Sequence, residues 1–393
     1  MRSFTSSDSD PPPIYLDHAA TTPVDPEVAE AMLPYLSGPL SSGNPSSIHR
    51  FGREARAAVD AARDLVAQLV GANYSEVYFT GSGTEADNLA LTGTMLASPH
   101  RRHLVTTAIE HHAILRTAHA LDVQGFEVTV APTDEQGLVD PVTVEAAIRD
   151  STTLVSIMYA NNEIGSIQPV AETAAITRAS GCLFHTDAVQ AAGLLEIDFG
   201  AGGFDLMSLS AHKIYGPKGV GALVIKQGTP VSPILHGGTQ EREKRAGTEN
   251  VAAIVGFGKA AEIARRRRPA DAVRLGRLRD RLIEQIQGRI PGVLLNGPAY
   301  PRLPNNVNIS VDGVEGPTLL MSLDRAGIAA SSGSACSSGS IEPSHVLKAI
   351  GLPDRLASSG IRFSLGRGTT EEELDRTVEI LCAIVERLRD RRR

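Results

Sequence analysis

A cysteine in a run of small residues is the first candidate for chemistry. Cys336 lies within residues 331–340, which are mostly serine and glycine and show no periodic apolar face. This composition predicts an exposed loop, and loops often carry the side chains that react. The thiolate is the reactive form of cysteine. The alternative for this segment alone is a serine-rich linker with an incidental thiol.

A lysine and an aspartate follow two predicted strands. Lys213 comes directly after a buried strand and before the turn Gly216-Pro217-Lys218-Gly219, and Asp187 ends the preceding strand. Parallel sheets bind ligands beyond the carboxyl ends of their strands, so the amine is positioned to form a Schiff base. A carboxylate paired with the pyridine nitrogen is what pyridoxal phosphate requires. The alternatives are a surface lysine and a helix N-cap.

The segment Gly81-Ser82-Gly83-Thr84 follows another strand and opens a predicted helix at residues 85–97. Bare amides at the glycines, the helix N-terminus and the Thr84 hydroxyl predict a phosphate site. The same residues also fit the fingerprint of a dinucleotide site, with Glu110 as the acid that binds the ribose. An NAD-dependent dehydrogenase is therefore an alternative of another class, but it leaves Lys213 and Cys336 without a role.

Two further side chains are candidates for the same edge of the sheet. His111 lies in Glu110-His111-His112 at the end of a strand, where an imidazole can stack on an aromatic cofactor and move protons. Arg362 lies in a short alternating strand, where its guanidinium suits a bidentate grip on a substrate carboxylate. Their alternatives are a structural histidine and a surface salt bridge. No metal site is predicted, because adjacent histidines on an extended chain point to opposite sides.

The elements that must position these residues alternate between helices and short β-branched runs. Candidate strands lie at residues 77–80, 104–107, 127–130, 154–159, 183–186, 206–209 and 221–225. This alternation predicts an α/β fold with a mostly parallel, helix-covered sheet. We expect a disordered leader at residues 1–13 and a large domain at 14–264, whose first residues could pack on the small domain. A smaller α+β domain at 265–393, starting with a charged helix, would carry the Cys336 loop.

Composition excludes several classes of protein. The 393-residue chain has a formal net charge of -7, and its basic runs are short, which does not favour nucleic-acid binding. Its three cysteines are far apart and lack CxxC spacing, which indicates a reducing compartment and no disulfide framework. Cys182 and Cys382 lie in apolar runs and are expected to be buried. No apolar stretch is long enough for a membrane span. We therefore expect a cytoplasmic protein.

Several motifs together resemble the cysteine desulfurases of the NifS/IscS kind, in the class-V aminotransferase family of fold-type-I pyridoxal phosphate enzymes. The motifs are Tyr15-Leu16-Asp17-His18-Ala19-Ala20-Thr21-Thr22-Pro23, Gly43-Asn44-Pro45-Ser46-Ser47, Asn161-Asn162-Glu163-Ile164-Gly165, Gly237-Gly238-Thr239-Gln240-Glu241-Arg242, Arg245-Ala246-Gly247-Thr248-Glu249-Asn250, Ser332-Gly333-Ser334-Ala335-Cys336 and Pro343-Ser344-His345-Val346-Leu347. The Cys336 segment resembles the long-loop group of this family.

The resemblance implies a role for each candidate. Lys213 would form the covalent link to pyridoxal 5'-phosphate, Asp187 would pair with its ring nitrogen, Gln190 would bond the ring hydroxyl, and His111 would stack on the ring. The phosphate would be held by Gly83, Thr84, Ser210 and His212, joined by Thr248 from the neighbouring subunit of a homodimer. Asn162 and Arg362 would orient the substrate carboxylate.

The implied reaction is removal of sulfur from L-cysteine, with Lys213, His111 and Cys336 as catalytic residues. It would give L-alanine and a persulfide on Cys336. The sulfur would pass to an acceptor or to an iron–sulfur scaffold protein, for iron–sulfur clusters or other thio-cofactors. Selenocysteine lyase and aminotransferase are the alternatives of the same fold. A scaffold without catalytic activity is a further alternative.

Overall fold

A seven-stranded sheet forms the centre of the structure. The structure is a computed structural model that describes residues 12–332 and 343–391. In chain order the strands are β1 (Ile14–Tyr15), β2 (Val77–Thr80), β3 (His103–Thr107), β4 (Glu127–Ala131), β5 (Thr152–Ser156), β6 (Leu183–Asp187), β7 (Leu206–Ser210), β8 (Gly221–Ile225), β9 (Val293–Leu295), β10 (Asn306–Val311), β11 (Ile328–Ala329) and β12 (Gly360–Ser364). The order in the large sheet is β2-β8-β7-β6-β5-β3-β4. β8 runs antiparallel to both of its neighbours, β2 and β7, and the other pairs in this sheet are parallel. The predicted α/β fold is confirmed.

Helices cover both faces of this sheet. They are α1 (Pro26–Leu36), α2 (Arg50–Val70), α3 (Gly83–Ala97), α4 (His112–Val123), α5 (Pro141–Ala147), α6 (Val170–Ala179), α7 (Val251–Arg289), α8 (Gly316–Arg325), α9 (His345–Ala349), α10 (Asp354–Ala357) and α11 (Glu371–Asp390). Every residue of β3, β5, β7 and β8 is buried. Strands covered on both faces are typically apolar and β-branched throughout, which is why these runs could be located from sequence. No helix in the described part of the chain has both the length and the apolar character of a membrane span.

Helix α7 connects two hydrophobic cores. It is 39 residues long, and its first half packs through Ile254 and Phe257 into the core beneath the large sheet. Its second half packs through Leu278 and Leu282 into a separate core around the three-stranded sheet β12-β10-β9. The charged helix expected from residue 265 is present as the second part of α7, but α7 begins fourteen residues earlier, after the N-cap Asn250. The predicted domain boundary at residues 264 and 265 therefore lies inside α7.

The N-terminal segment joins the second core. Strand β1 pairs in parallel with β11, and Ile14 and Leu16 are buried among the side chains of β10, β12 and α11. Residue Asp17 then bridges to Ser364 of β12. Residues 14–20 therefore run from the small sheet toward the carboxyl edge of the large one. Most of the predicted leader, residues 1–11, lies outside the described residues.

A buried ion pair fixes the loop between β8 and α7. Arg63 of α2 donates to both carboxylate oxygens of Glu241 at 2.6 and 2.8 Å, and both side chains are 2% exposed. Glu241 and the two residues after it have positive φ angles of 45°, 52° and 65°. That conformation costs on the order of 1 kcal/mol for each residue with a side chain. The ion pair holds the loop against α2 in this conformation.

We predict that Arg63→Ala destabilises the protein strongly, because it leaves the Glu241 carboxylate buried without a counter-charge. The expected loss is about 3–5 kcal/mol of unfolding free energy. Urea denaturation of wild type and variant measures this loss. Arg50→Ala is the matched control, since the Arg50 side chain is 80% exposed in its pair with Glu54 and should contribute little. Equal small effects for the two variants would contradict this account of the loop.

Candidate active site

A cavity of about 330 Å³ opens at the carboxyl edge of the large sheet. Its lining contains most of the residues predicted from sequence: Gly83, Thr84, His111, Asn162, Asp187, Gln190, Ser210, His212, Lys213 and Arg362. Two predicted residues are not in this lining. Thr248 is exposed on the loop before α7, and Cys336 lies outside the described residues. The cavity therefore gathers side chains from both cores and from positions far apart in the chain.

Lys213 ends a short 3-10 helix, Ala211–Lys213, directly after β7. The side chain is partly buried, and Nζ donates to the carbonyl oxygens of Ala19 and Ala20 at 2.5 and 2.8 Å. These two carbonyls belong to the N-terminal segment that arrives from the small sheet. The amine is thus held inside the cavity by backbone oxygens, and the alternative of a surface lysine in a turn is wrong.

Asp187 is the last residue of β6, the strand next to β7, so its carboxylate lies on the same edge as Lys213. The residue is 7% exposed, and its Oδ1 accepts a hydrogen bond from the Val189 amide at 2.9 Å. Burial raises the pKa of Asp187 to about 6, while the Val189 amide and the charge of Lys213 act in the opposite direction. A buried carboxylate facing an ammonium group is a suitable partner for a protonated ring nitrogen.

The other end of the cavity is built to bind an anion. Ser82 caps α3 by accepting from the Glu85 amide, and the first-turn amides of a helix have no acceptors within the helix. A Cβ at residue 83 would lie 3.2 Å from Ser210 Cβ. Glycine at this position therefore lets the backbone at the start of α3 lie close to the Ser210 side chain. The Oγ of Ser210 is buried and has no hydrogen-bond partner among the described residues. These donors converge on one place suitable for a phosphate.

His111 is the N-cap of α4, and its Nδ1 accepts a hydrogen bond from the Ala113 amide at 3.1 Å. Burial, followed by the positive charge of Lys213, lowers the pKa of His111 to about 4. The imidazole is therefore neutral at neutral pH. Because Nδ1 accepts, we assign the ring proton to Nε2. The cap fixes the ring plane at the cavity wall.

Arg362 lies in β12 and is 1% exposed, so the alternative of a surface salt bridge is wrong. Its guanidinium donates to Asp17 Oδ1 at 2.8 Å and to the Asn162 carbonyl at 2.9 Å. The third nitrogen, Nε, is buried and has no hydrogen-bond partner among the described residues. A buried donor of this kind is available for a ligand carboxylate.

Sequence reasoning missed two acids at this site. Asp17 lies in the motif at residues 15–23, and nothing in that motif indicates its contact with Arg362. Asp87 lines the cavity from α3 and is 1% exposed. A carboxylate oxygen of Asp87, a ring nitrogen of His111 and a carboxylate oxygen of Asp187 all lie within 4.8 Å of one another. An acid on the buried face of a predicted helix, between Ala86 and Ala90, was the available signal for Asp87.

The comparisons with known proteins agree with this arrangement. The model of the family called aminotransferase class-V matches residues 14–377. Cysteine desulfurase IscS of Dictyoglomus turgidum is 51% identical over 377 residues, which cover 96% of this chain and 95% of that protein. Cysteine desulfurase IscS of Methanosarcina thermophila is 50% identical over 378 residues, covering 96% of this chain and 93% of that protein.

Solved structures give the same result. A NifS-like protein superposes with a TM-score of 0.89 and 37% identity, over 95% of this chain and 99% of that one. The structure titled "SspA in complex with cysteine" has a TM-score of 0.79 and 34% identity, over 90% and 98% of the two chains. The chain belongs to the cysteine desulfurases of the class-V aminotransferase family. This confirms the predicted family and the predicted cofactor, pyridoxal phosphate.

The cavity of this desulfurase fits that cofactor. The partnerless Ser210 hydroxyl and the space kept by Gly83 suit its phosphate, the buried Asp187 carboxylate suits its ring nitrogen, and Lys213 Nζ lies inside the same cavity. The dinucleotide alternative is wrong. Glu110, which it needs as a ribose ligand, is fully buried and binds the Thr107 hydroxyl and the Met158 amide.

We predict that Glu110 makes the stability of the protein fall as the pH rises from about 4.5 to about 8. Burial raises the pKa of Glu110 from 4.5 to about 8, so the folded protein keeps a proton that the unfolded chain has released. The stability contributed by this proton is lost as the pH rises through about 8. Glu110→Gln should therefore reduce the decline between about pH 7 and pH 8 by up to about 1.4 kcal/mol per pH unit.

Urea denaturation over a series of pH values measures this slope. Glu127→Gln is the matched control, because the Glu127 side chain is 62% exposed on a neighbouring strand. An unchanged slope in the Glu110→Gln protein would show that Glu110 is already ionised at neutral pH.

Proposed function

We propose that this protein removes sulfur from L-cysteine, releases L-alanine and holds the sulfur as a persulfide on Cys336. The observation that carries the proposal is a single cavity in which a lysine amine, a buried carboxylate and a buried arginine meet. The site residues named from sequence are part of the same proposal. Relatives named cysteine desulfurase share about half of the sequence over nearly its full length.

Arg362 is the residue we assign to the substrate carboxylate. Its Nε is the buried donor without a partner among the described residues, and the neighbouring Asn162 lines the same cavity. A carboxylate that accepts from this nitrogen would satisfy a buried polar group and gain a charge-assisted hydrogen bond. The complex of SspA with cysteine supports cysteine as the substrate.

Lys213 is the proposed general base. Bound pyridoxal phosphate supplies an electron sink next to the substrate Cα. Lys213 Nζ would be placed to remove the Cα proton of a substrate amino acid bound there. The His111 ring forms one wall of the site. Because this ring is neutral, it adds no positive charge that would compete with the cofactor's ring nitrogen for Asp187.

Cys336 is the proposed sulfur acceptor. Its thiolate attacks the substrate sulfur, an S–S bond forms, and the C–S bond breaks with its electron pair going to the substrate carbon. Protonation of that carbon gives L-alanine. The sum is enzyme thiol plus L-cysteine giving enzyme persulfide plus L-alanine, so no external oxidant is needed. A thiolate on a sulfur-acceptor or iron–sulfur scaffold protein would then attack the outer sulfur.

Both described ends of the segment that contains Cys336 attach beside the substrate arginine. On one side the Ser331 amide donates to the Arg362 carbonyl at 3.1 Å. On the other side Ser344 donates to the Glu163 carboxylate at 2.5 Å, and Glu163 follows Asn162 in the chain. These attachments support a role for Cys336 at this site. The cytoplasmic location stays a prediction from the reducing compartment that the cysteines indicate.

We predict that Cys336→Ala keeps the visible absorbance of lysine-bound pyridoxal phosphate but produces no sulfide from L-cysteine, because only the sulfur acceptor is removed. Lys213→Ala should lose the covalent link and its absorbance. Spectra recorded before and after L-cysteine, with alanine and sulfide assayed together, measure both results. Cys182→Ala is the matched control, since Cys182 is buried away from the site.

Sulfide release by Cys336→Ala at the wild-type rate would contradict the persulfide mechanism. Selenide release from L-selenocysteine without sulfide release from L-cysteine would favour the selenocysteine lyase alternative. Amino-group transfer to a keto acid without sulfide would favour the aminotransferase alternative. A wild-type protein that does not bind pyridoxal phosphate would favour the scaffold alternative.

The homodimer and the role of Thr248 are part of the proposal. Thr248 is exposed, whereas the loop behind it is anchored by the buried Glu241 and by a 2.7 Å ion pair between Glu249 and Arg56 of α2. A rigid loop that presents a hydroxyl outward suits a contact with a second subunit. Exposed apolar side chains on α1 and at the start of α2 support an interface on this side; they are Leu33, Leu36, Ile48 and Phe51.

We predict that mixed dimers of Lys213→Ala and Thr248→Val regain activity. One of the two sites in such a dimer combines an intact Lys213 from one chain with an intact Thr248 from the other. Co-expression with two different tags, purification of the mixed species and a sulfide assay at limiting pyridoxal phosphate measure the recovery. Activity no higher than that of the separate Thr248→Val protein would mean that Thr248 does not act across an interface.

A further inference from the structure

Asp87 is a second carboxyl group at the site, and the proposed reaction gives it no role. It lies on the buried face of α3, is 1% exposed and lines the cavity. Its Oδ1 has no hydrogen-bond partner among the described residues. One carboxylate oxygen of Asp87 and one of Asp187 lie within 4.8 Å of each other. Two acids therefore share one buried space at the position assigned to the ring nitrogen.

Two negative charges at this separation, away from water, repel each other strongly, so one of the two acids keeps a proton. The surroundings decide which one. Asp187 accepts from the Val189 amide and faces the positive charge of Lys213. Among the described residues, the Ser208 hydroxyl favours a charge on Asp87, but no cation does so. A charge on the nearby acid Glu110 would oppose the ionisation of Asp87 further.

The nearest basic group does not compensate the charge of Asp87. His185 Nε2 is 3.9 Å from Asp87 Oδ1. Both ring nitrogens of His185 are occupied by hydroxyl groups, Nδ1 by Ser156 at 2.9 Å and Nε2 by Ser208 at 3.0 Å. Burial lowers the pKa of His185 to about 3, so the ring is neutral. The neutral His111 ring is the other imidazole at this position.

The environment of Asp87 acts in the same direction. Burial and then the charge of Asp187 raise the pKa of Asp87 well above its ordinary value, and only the Ser208 hydroxyl lowers it.

We propose that Asp87 is a positioning residue that stays protonated at neutral pH, so that Asp187 alone carries the negative charge facing the ring nitrogen of the cofactor. The inference rests on the proposed role of Asp187. As a consequence, the two acids together carry one negative charge, which matches the one positive charge of the protonated ring nitrogen. When Asp87 loses its proton at high pH, the two acids carry two negative charges. The affinity of the site for the cofactor then changes.

Infrared spectroscopy of the holoenzyme tests the protonation state directly, because a protonated carboxyl absorbs apart from carboxylates and amides. We expect a protonated-carboxyl band at neutral pH that loses one component in Asp87→Asn. Glu110→Gln is the matched control and should lose a different component. Labelling wild type with carboxyl-13C aspartate separates Asp87 from Glu110 without any substitution. A band that is unchanged in Asp87→Asn and unshifted by labelled aspartate would overturn the proposal.

The pH dependence of pyridoxal phosphate binding is the second readout. Wild type should show a transition in affinity on the alkaline side, where Asp87 ionises, and Asp87→Asn should lack it. An Asp87→Asn protein with the same alkaline transition as wild type would overturn the positioning role. Neither readout depends on sulfide production. A protein that shows both effects but forms no sulfide would contradict the proposed function and leave this inference standing.

Discussion

The buried charge of Arg362 is the constraint on which the arrangement of the site depends. A guanidinium that is 1% exposed must find partners inside the protein. It finds them in the Asp17 carboxylate and the Asn162 carbonyl, which belong to the N-terminal segment and to the loop after β5. Removal of either partner would leave a buried charge incompletely satisfied. The small sheet is thereby fixed over the carboxyl edge of the large one.

The N-terminal segment transmits this constraint to the lysine. It pairs with β11, bridges to β12 through Asp17, and then offers the carbonyls of Ala19 and Ala20 to Lys213. The Gln190 amide donates to the same Ala19 carbonyl at 3.0 Å. One short stretch of backbone therefore sets the positions of the arginine and the amine relative to each other, which explains why residues 15–23 form a recognisable motif.

Much of the fold could be predicted because local patterns determine it. The strands at residues 77–80 and 221–225 were located correctly, since each is a short apolar and β-branched run with breaking residues beside it. Lys213 and Asp187 could be brought together because each follows or ends one of two adjacent parallel strands. The antiparallel direction of β8 could not be predicted. The early start of α7 was missed because its first turns are small residues packed closely on α2; a Cβ on Gly258 would meet Ala62 at 2.6 Å.

Long-range contacts account for what sequence reasoning missed at the site. Asp17 is separated from Arg362 by 345 positions, and no local pattern signals their contact. Asp87 lies on a helix whose buried face is otherwise mostly apolar, and only the neighbouring strand β6 brings its carboxyl close to Asp187. Thr248 is a different case, because its predicted partner belongs to another subunit. Its role and that of Cys336 stay predictions.

Mass spectrometry of peptides after a brief incubation with L-cysteine tests the central claim most directly. The account predicts that the peptide containing Cys336 gains the mass of one sulfur atom, that a reducing thiol removes it, and that the peptides containing Cys182 and Cys382 do not change. Formation of alanine and sulfide while Cys336 remains an unmodified thiol throughout turnover would contradict the account.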